Sequence, residues 1–201
     1  QQSRGPALAN KVIVLNPDGA DQLVYDVAVR TEGRLLALGA SVFLTRGATN
    51  NPSELERIGF SNESSADLMI SLNVDSYANE KAHGAATYFY GSDAHGVHSI
   101  VGERFASLVQ REICARTDLT NCRIHAKTWD LLRMTMAPTV RIDLGYLSNE
   151  GDAQRLARSS FRQSLAEALV VAVQRLYLAA EEDALTGTLR VEDLKRAGLR
   201  K

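Results

Sequence analysis

Carboxylates and amides gather where apolar runs end. Asp18 and Gly19 follow KVIVLN, Asn73 and Asp75 follow LMISL, and Asp143 lies inside TVRIDLG. If those runs are neighbouring strands, their polar residues meet at one sheet edge, where open α/β folds place ligands. A carboxylate there can move a proton, and Asp18 with Asp143 can hold a hard cation such as Mg²⁺. Asn73 and Asp75 suit a hydrogen-bonded cleft or, equally, the solvated end of a strand.

Other residues with reactive side chains are scattered. Of the four histidines, His83, His95, His98 and His125, two are three positions apart where a helix is expected to begin. His95 and His98 can share a metal at that spacing, or simply be exposed. His125 is placed to face the strand-end cleft or to serve the structure. Cys114 and Cys122 are the only cysteines, enough for one bridge or two thiols. Thr186 and Thr188 lie in LTGTL, in a charged segment. A phosphate on either adds roughly −1.5 to −2 charge and three acceptors, with Arg190 and Lys195 near enough to answer it. Otherwise Thr188 caps a short helix near 190–197 and Thr186 is linker.

The elements that must position these residues alternate. KVIVLN, SVFLTR, residues 67–72, GAATYFY and TVRIDLG read as strands. Val24, Ala28, Thr31, Leu35 and Leu38 repeat at helical spacing before Gly39. Ser53 with Glu56 forms a capping box after Pro52. Val97, Val101, Phe105 and Leu108 define one face of a long helix, and Ser160 with Gln163 caps the last large one. Residues 118–138 read as turn-rich and irregular. The pattern predicts an α/β three-layer sandwich with a mostly parallel central sheet of about six strands flanked by helices. Residues 1–10 are expected as a leading linker, 11–180 as the domain, and 181–201 as a flexible tail.

In chain order, VIVLNPDGA, LLALGASVFLTR, ERIGFSNESSADLMISLNVDS, GAATYFY and LLRMTMAPTVRIDLGYLSNEGDAQRL resemble the zinc-dependent N-acetylmuramoyl-L-alanine amidase family. These enzymes cut the lactyl–peptide amide of peptidoglycan, and the resemblance runs from Lys11 to Tyr177. It implies two histidines and a glutamate on zinc, with a second glutamate handling the proton of the attacking water. Here Gly19 stands at the first histidine position and Asn73 at the second. No glutamate lies between Gly19 and Arg30, only Asp21 and Asp26, and Asp143 replaces the catalytic glutamate. Glycine offers no donor and an amide is a poor one for zinc. The expectation is therefore a pseudo-amidase that has lost zinc and keeps Asp18, Gly19, Asn73, Asp75 and Asp143 as a vestigial cleft. The alternatives are an active amidase with non-standard zinc ligands and a sensor that binds muropeptide without cutting it.

NPDG, CRIHAKTWDLLRMT, RIDLGYLSNEGDAQRL and LTGTL resemble a degenerate actinobacterial branch of that family. That resemblance implies a cytoplasmic regulator of peptidoglycan precursor synthesis, phosphorylated on Thr186 and Thr188 by a Ser/Thr protein kinase. The implied client is a MurA-type UDP-N-acetylglucosamine enolpyruvyl transferase, with FHA-domain proteins reading the phosphothreonines. Two thiols suit that compartment.

Composition agrees with a globular domain: 201 residues, 45% hydrophobic and 23% charged, enough to bury a core. A net charge of −1 gives no general attraction to nucleic acid. No apolar run approaches the roughly 20 residues of a membrane span. QQSRGPALAN lacks the apolar core of a signal peptide and does not begin with Met, so an upstream segment is expected.

Overall fold

The computed structural model describes residues 7–186, with side chains as far as Leu178. In chain order the first half comprises β1 (Val12–Pro17), α1 (Gln22–Ala37), β2 (Ser41–Leu44), α2 (Glu54–Glu63), β3 (Leu68–Asp75) and β4 (Ala85–Ser92). The second comprises β5 (Val97–His98), α3 (Ile100–Arg116), β6 (Asn121–Lys127), α4 (Asp130–Met134), β7 (Thr139–Tyr146), α5 (Glu150–Ala157) and α6 (Ser159–Thr186).

β2, β1, β3 and β7 lie side by side and parallel, in that order. β4 joins β7 antiparallel, and its far side takes β6 parallel and the two-residue β5 antiparallel. The central strands read as continuous apolar runs because both of their faces are covered. On one face Ile13, Leu15, Leu68, Ile70, Leu72, Val140 and Ile142 join buried side chains of α1, α3 and α6 in the main core. On the other, Val14 and Met69 meet Ile58 of α2 and Leu131 of α4 in a smaller one. The expected sandwich is there, with a mixed sheet of seven strands.

Local chemistry sets the helix starts. Asp21 Oδ1 accepts from the Leu23 and Val24 N–H groups to open α1. Ser53 and Glu56 form the anticipated reciprocal capping box on α2. Three arginines surround the buried Glu112 of α3: Arg116 one turn on, Arg111 beside it, and Arg175 of α6 at 3.0 Å. Asp26 of α1 accepts from Arg30 at 2.8 Å and from Arg162 of α6 at 2.6 Å. Arg30 also donates to Gln163 and Ser159.

Several expectations fail for identifiable reasons. Residues 118–138 are not irregular, since β6 and α4 both lie within them. β6 escaped notice because it is an edge strand with polar residues on its open face, and Arg123, at φ 69°, interrupts its register with β4. α3 starts at Ile100 under a Ser99 cap, so Val97 belongs to β5 and Val101 is exposed. The buried stripe is instead Gly102, Phe105, Ala106, Val109 and Ile113. His95 ends a 3₁₀ turn and His98 sits in β5, so neither is at a helix start. Ser160 lies inside α6, and Gln163 bonds Arg30 instead of completing a cap. Within the expected leading linker, Leu8 is buried in the main core and its N–H donates to Leu38 O. Residue 180, the expected end of the domain, lies within α6 (Ser159–Thr186), and the described residues end at Thr186. Thr188 and the segment 190–197 lie outside the described residues.

Candidate functional site

The carboxyl ends of β1, β3 and β7 meet on the face that carries α2 and α4. β1 ends in Asn16 and Pro17, and the Asp18 N–H donates to Leu72 O at 2.9 Å, pinning the following turn against β3. Two buried arginines hold that turn from behind. Arg46 donates from Nε to Pro17 O at 2.7 Å and from Nη2 to Asp21 O at 2.9 Å. Arg57 donates from Nη1 to Pro17 O and to Asn16 Oδ1, and from Nη2 to Gly19 O. It reaches Pro52 O and Asn51 Oδ1 as well. Asn16 in turn donates to Ser71 Oγ at 2.8 Å and accepts from Thr45 Oγ1 at 2.7 Å. Burial lowers the pKa of both guanidiniums, opposed by the Asp18 charge, and an arginine stays charged under any such pull.

Gly19 is exposed at the apex, at φ +60° and with nothing within 4 Å of where a Cβ would stand. There is room for a side chain, but the backbone is in the left-handed region that costs other residues.

Register brings the next three residues together. Asn73 of β3 is paired with Asp143 of β7, and Asn73 Nδ2 donates to Asp143 Oδ1 at 3.1 Å. Arg141 shares its sheet face with Asp143, two residues along the strand, and its Nε donates to the same oxygen at 3.1 Å. Asp143 is only 3% exposed. Burial pushes its carboxyl above the usual range, against the pull of Arg141 and Asn73. Desolvation works against the charged Arg141, but Asp143, with Asp18 and Asp75, outweighs it and raises its pKa. A register shift follows Asn73, and the Asp75 carboxylate is not hydrogen-bonded into the Asn73–Asp143–Arg141 set: its Oδ1 accepts from the Ser76 N–H and its O from the Leu147 N–H.

Beside this set lies an open cleft of about 420 Å³ lined by Asp18, Glu54, Trp129, Asp130, Leu131 and Arg141. The Trp129 ring is flanked by Tyr88, centroids 4.8 Å apart, and by the cations of Arg141 and Lys127 at 5.1 and 5.6 Å. Burial, then Asp143, pushes the Tyr88 phenol up to about 12.

The structure thus brings Asp18, Asn73 and Asp143 to one edge, with the charge of Asp75 close enough to act on Arg141 and Asp143. His125 stacks near Tyr88 and contacts Cys122 O through Nε2. His98 pairs with Glu103, and His83 Nδ1 contacts Lys81 O. Among the described residues no three His, Cys, Asp or Glu side chains converge as metal donors. Sequence reasoning missed Trp129, Glu54, Arg46, Arg57 and Arg141. Arg141 was within reach, because strand period alone puts it beside Asp143.

Comparison with known proteins agrees with this architecture. A family model described as N-acetylmuramoyl-L-alanine amidase matches residues 18–175. The chain is 39% identical to N-acetylmuramoyl-L-alanine amidase CwlM of Mycobacterium tuberculosis, over 96% of this chain and 52% of that protein. It therefore spans about half the length of that relative. It is 26% identical to the germination-specific N-acetylmuramoyl-L-alanine amidase of Bacillus subtilis, covering 85% and 81% of the two chains. Among solved structures, an N-acetylmuramoyl-L-alanine amidase of Clostridium difficile 630 superposes with a TM-score of 0.75 at 21% identity, covering 84% of this chain and 97% of that one. The amidase Ami1 of Mycobacterium smegmatis gives 0.74 at 16% identity, covering 86% and 99%.

Proposed function

The chain belongs to the N-acetylmuramoyl-L-alanine amidase family, and we propose that it acts there as a catalytically inactive regulator of peptidoglycan precursor synthesis. The observation that carries this reading is the Asn73–Asp143–Arg141 set. A zinc hydrolase keeps three protein ligands and one open position for water. Gly19 supplies no ligand, and the Asn73 amide is already donating to Asp143. The guanidinium of Arg141, 3.1 Å from Asp143, sets a fixed positive charge beside that carboxylate, which opposes a divalent cation close by. These residues suit a closed hydrogen-bonded set and not a zinc site, so zinc is expected to be lost and hydrolysis with it.

What remains is a rigid domain with polar and aromatic surface, suited to protein–protein contact. The proposed client is a MurA-type enolpyruvyl transferase. The proposed switch is phosphorylation of Thr186 and Thr188 by a Ser/Thr protein kinase, with FHA-domain proteins as readers, in the cytoplasm. No helix among the described residues is long and apolar enough to cross a membrane. The test is the initial rate of the transferase with the unmodified chain, the phosphorylated chain, and the phosphorylation-blocked Thr186→Ala/Thr188→Ala variant. A several-fold rate change with the phosphorylated chain alone is expected. An unchanged rate, or release of peptide from peptidoglycan by the zinc-supplemented chain, would contradict the proposal.

The cleft beside Trp129 favours a second, compatible reading as a muropeptide sensor. Trp129 is the single tryptophan of the chain, so saturable quenching or enhancement of its emission by muropeptide, without cleavage, is the expected sign.

A further inference from the structure

The edge of the sheet opposite the cleft carries a second concavity, of about 450 Å³, between the end of α2 and the segments leading into β3 and β7. Ser61 lines it, 1% exposed, and its Oγ is the one buried side-chain polar atom among the described residues without a hydrogen-bond partner. An unmet buried hydroxyl is costly in a finished fold and calls for a partner. The rim is apolar on one side, where Met136 is 83% exposed and Ala66, Ala137 and Pro138 line the wall. Asn62 fixes Met136 there, accepting from its N–H at 2.8 Å. The other side is electronegative: Asp67 and Glu63 are exposed, and the carboxyl end of α2 adds its partial negative charge.

α6 leaves the domain at this same edge. The Lys11 Nζ lies 4.6 Å from the Tyr177 ring, and the next residue, Val12, donates its N–H to Asp67 Oδ2 at 2.7 Å. Asp67 also adds to the burial that pushes the Tyr177 phenol up to about 12. From Tyr177 the helix continues to Thr186. Beyond it, residues 187–201 can span up to about 50 Å when extended, ample to return to the pocket. Their last stretch, KRAGLRK, sets Lys195, Arg196, Arg200 and Lys201 around Leu199 with no acidic residue among them.

We propose that residues 195–201 dock in this pocket, with Leu199 packed against Met136, a backbone group on Ser61 Oγ, and the basic side chains facing Asp67 and Glu63. Another groove, along α3, is lined by Arg104 and Arg111 with Glu103. It suits so basic a segment less well. The inference goes beyond the regulatory reading and holds whether or not Thr186 and Thr188 are phosphorylated.

The test is an amide NMR comparison of the full chain with Leu199→Asp and with Met136→Glu, the latter at a position 83% exposed in the domain. Leu199→Asp is expected to shift the amides of Ala66, Met136 and Ala137, and either variant to free residues 195–201, read as a fall in their heteronuclear NOE. Shifts centred on Ile100 and Leu108, or no shifts in the described domain, would overturn the proposal. So would an NOE for 195–201 already low in the parent chain. Concentration-dependent shifts would overturn it too, by assigning the pocket to a second copy.

Discussion

Asp143 accepts from an amide on one neighbour and a guanidinium on the other, and both bonds land on a single carboxylate oxygen. Those two bonds tie Oδ1 to its own strand and to the next, fixing the orientation of the carboxylate within the sheet edge. Behind it, Arg57 does comparable work for the turn at Asp18 and Gly19. It is 2% exposed and donates to five different acceptor atoms in Asn16, Pro17, Gly19, Asn51 and Pro52. Arg57→Ala is expected to cost about 3–5 kcal/mol, because it leaves several buried acceptors of that network without their donor. Arg57→Lys would recover little, since an ammonium cannot reproduce the fork. Urea denaturation of both variants measures this. The strand-end residues were legible because chain order and β-period place them. Arg57 was not, because nothing in the sequence tells a buried helix arginine from an exposed one.

At the scale of elements, α6 is held to α1 and α3 by charge as well as by apolar packing. Partial burial disfavours the charged form of Asp26, but hydrogen bonds from Arg162 and Arg30 outweigh it and hold its pKa below the usual value. A carboxylate so lowered stabilises the fold above the pKa of the unfolded chain. That contribution is lost as pH falls through the folded value. Asp26→Asn should therefore cost about 1 kcal/mol near neutrality and progressively less in acid, converging with the parent once pH falls through the lowered folded value. Thermal melts across pH 3–7 would check the sign, and a constant gap would contradict it. Helices with strong caps were legible here, α1 and α2 above all. The start of α3 was not: Val97 and Val101 extend its apolar spacing backwards, and only the Ser99 cap and the β5 hairpin show that the helix begins later. β6 was hidden for a related reason, since an edge strand with a bulge and polar residues on its open face lacks the apolar run by which β1, β3 and β7 announce themselves.

On the scale of the whole molecule, the amidase framework is kept, and the proposed function has the residues at its metal-binding positions changed. The fold superposes on amidases of known structure with TM-scores of 0.75 and 0.74. The carboxyl edge of the sheet holds a left-handed glycine at the apex of the turn, an amide facing a carboxylate, and an arginine beside that carboxylate. Restoring one donor would not restore the site. Asn73→His should bind zinc no more than weakly, because Gly19 still supplies nothing and Arg141 still opposes a cation, and calorimetry on that variant would show it. The decisive measurement is the same titration on the parent chain after chelator treatment. No binding, or binding no tighter than micromolar, is the result expected of a site held shut by Asn73, Asp143 and Arg141. Tight one-to-one binding of zinc would contradict the account and require ligands other than these.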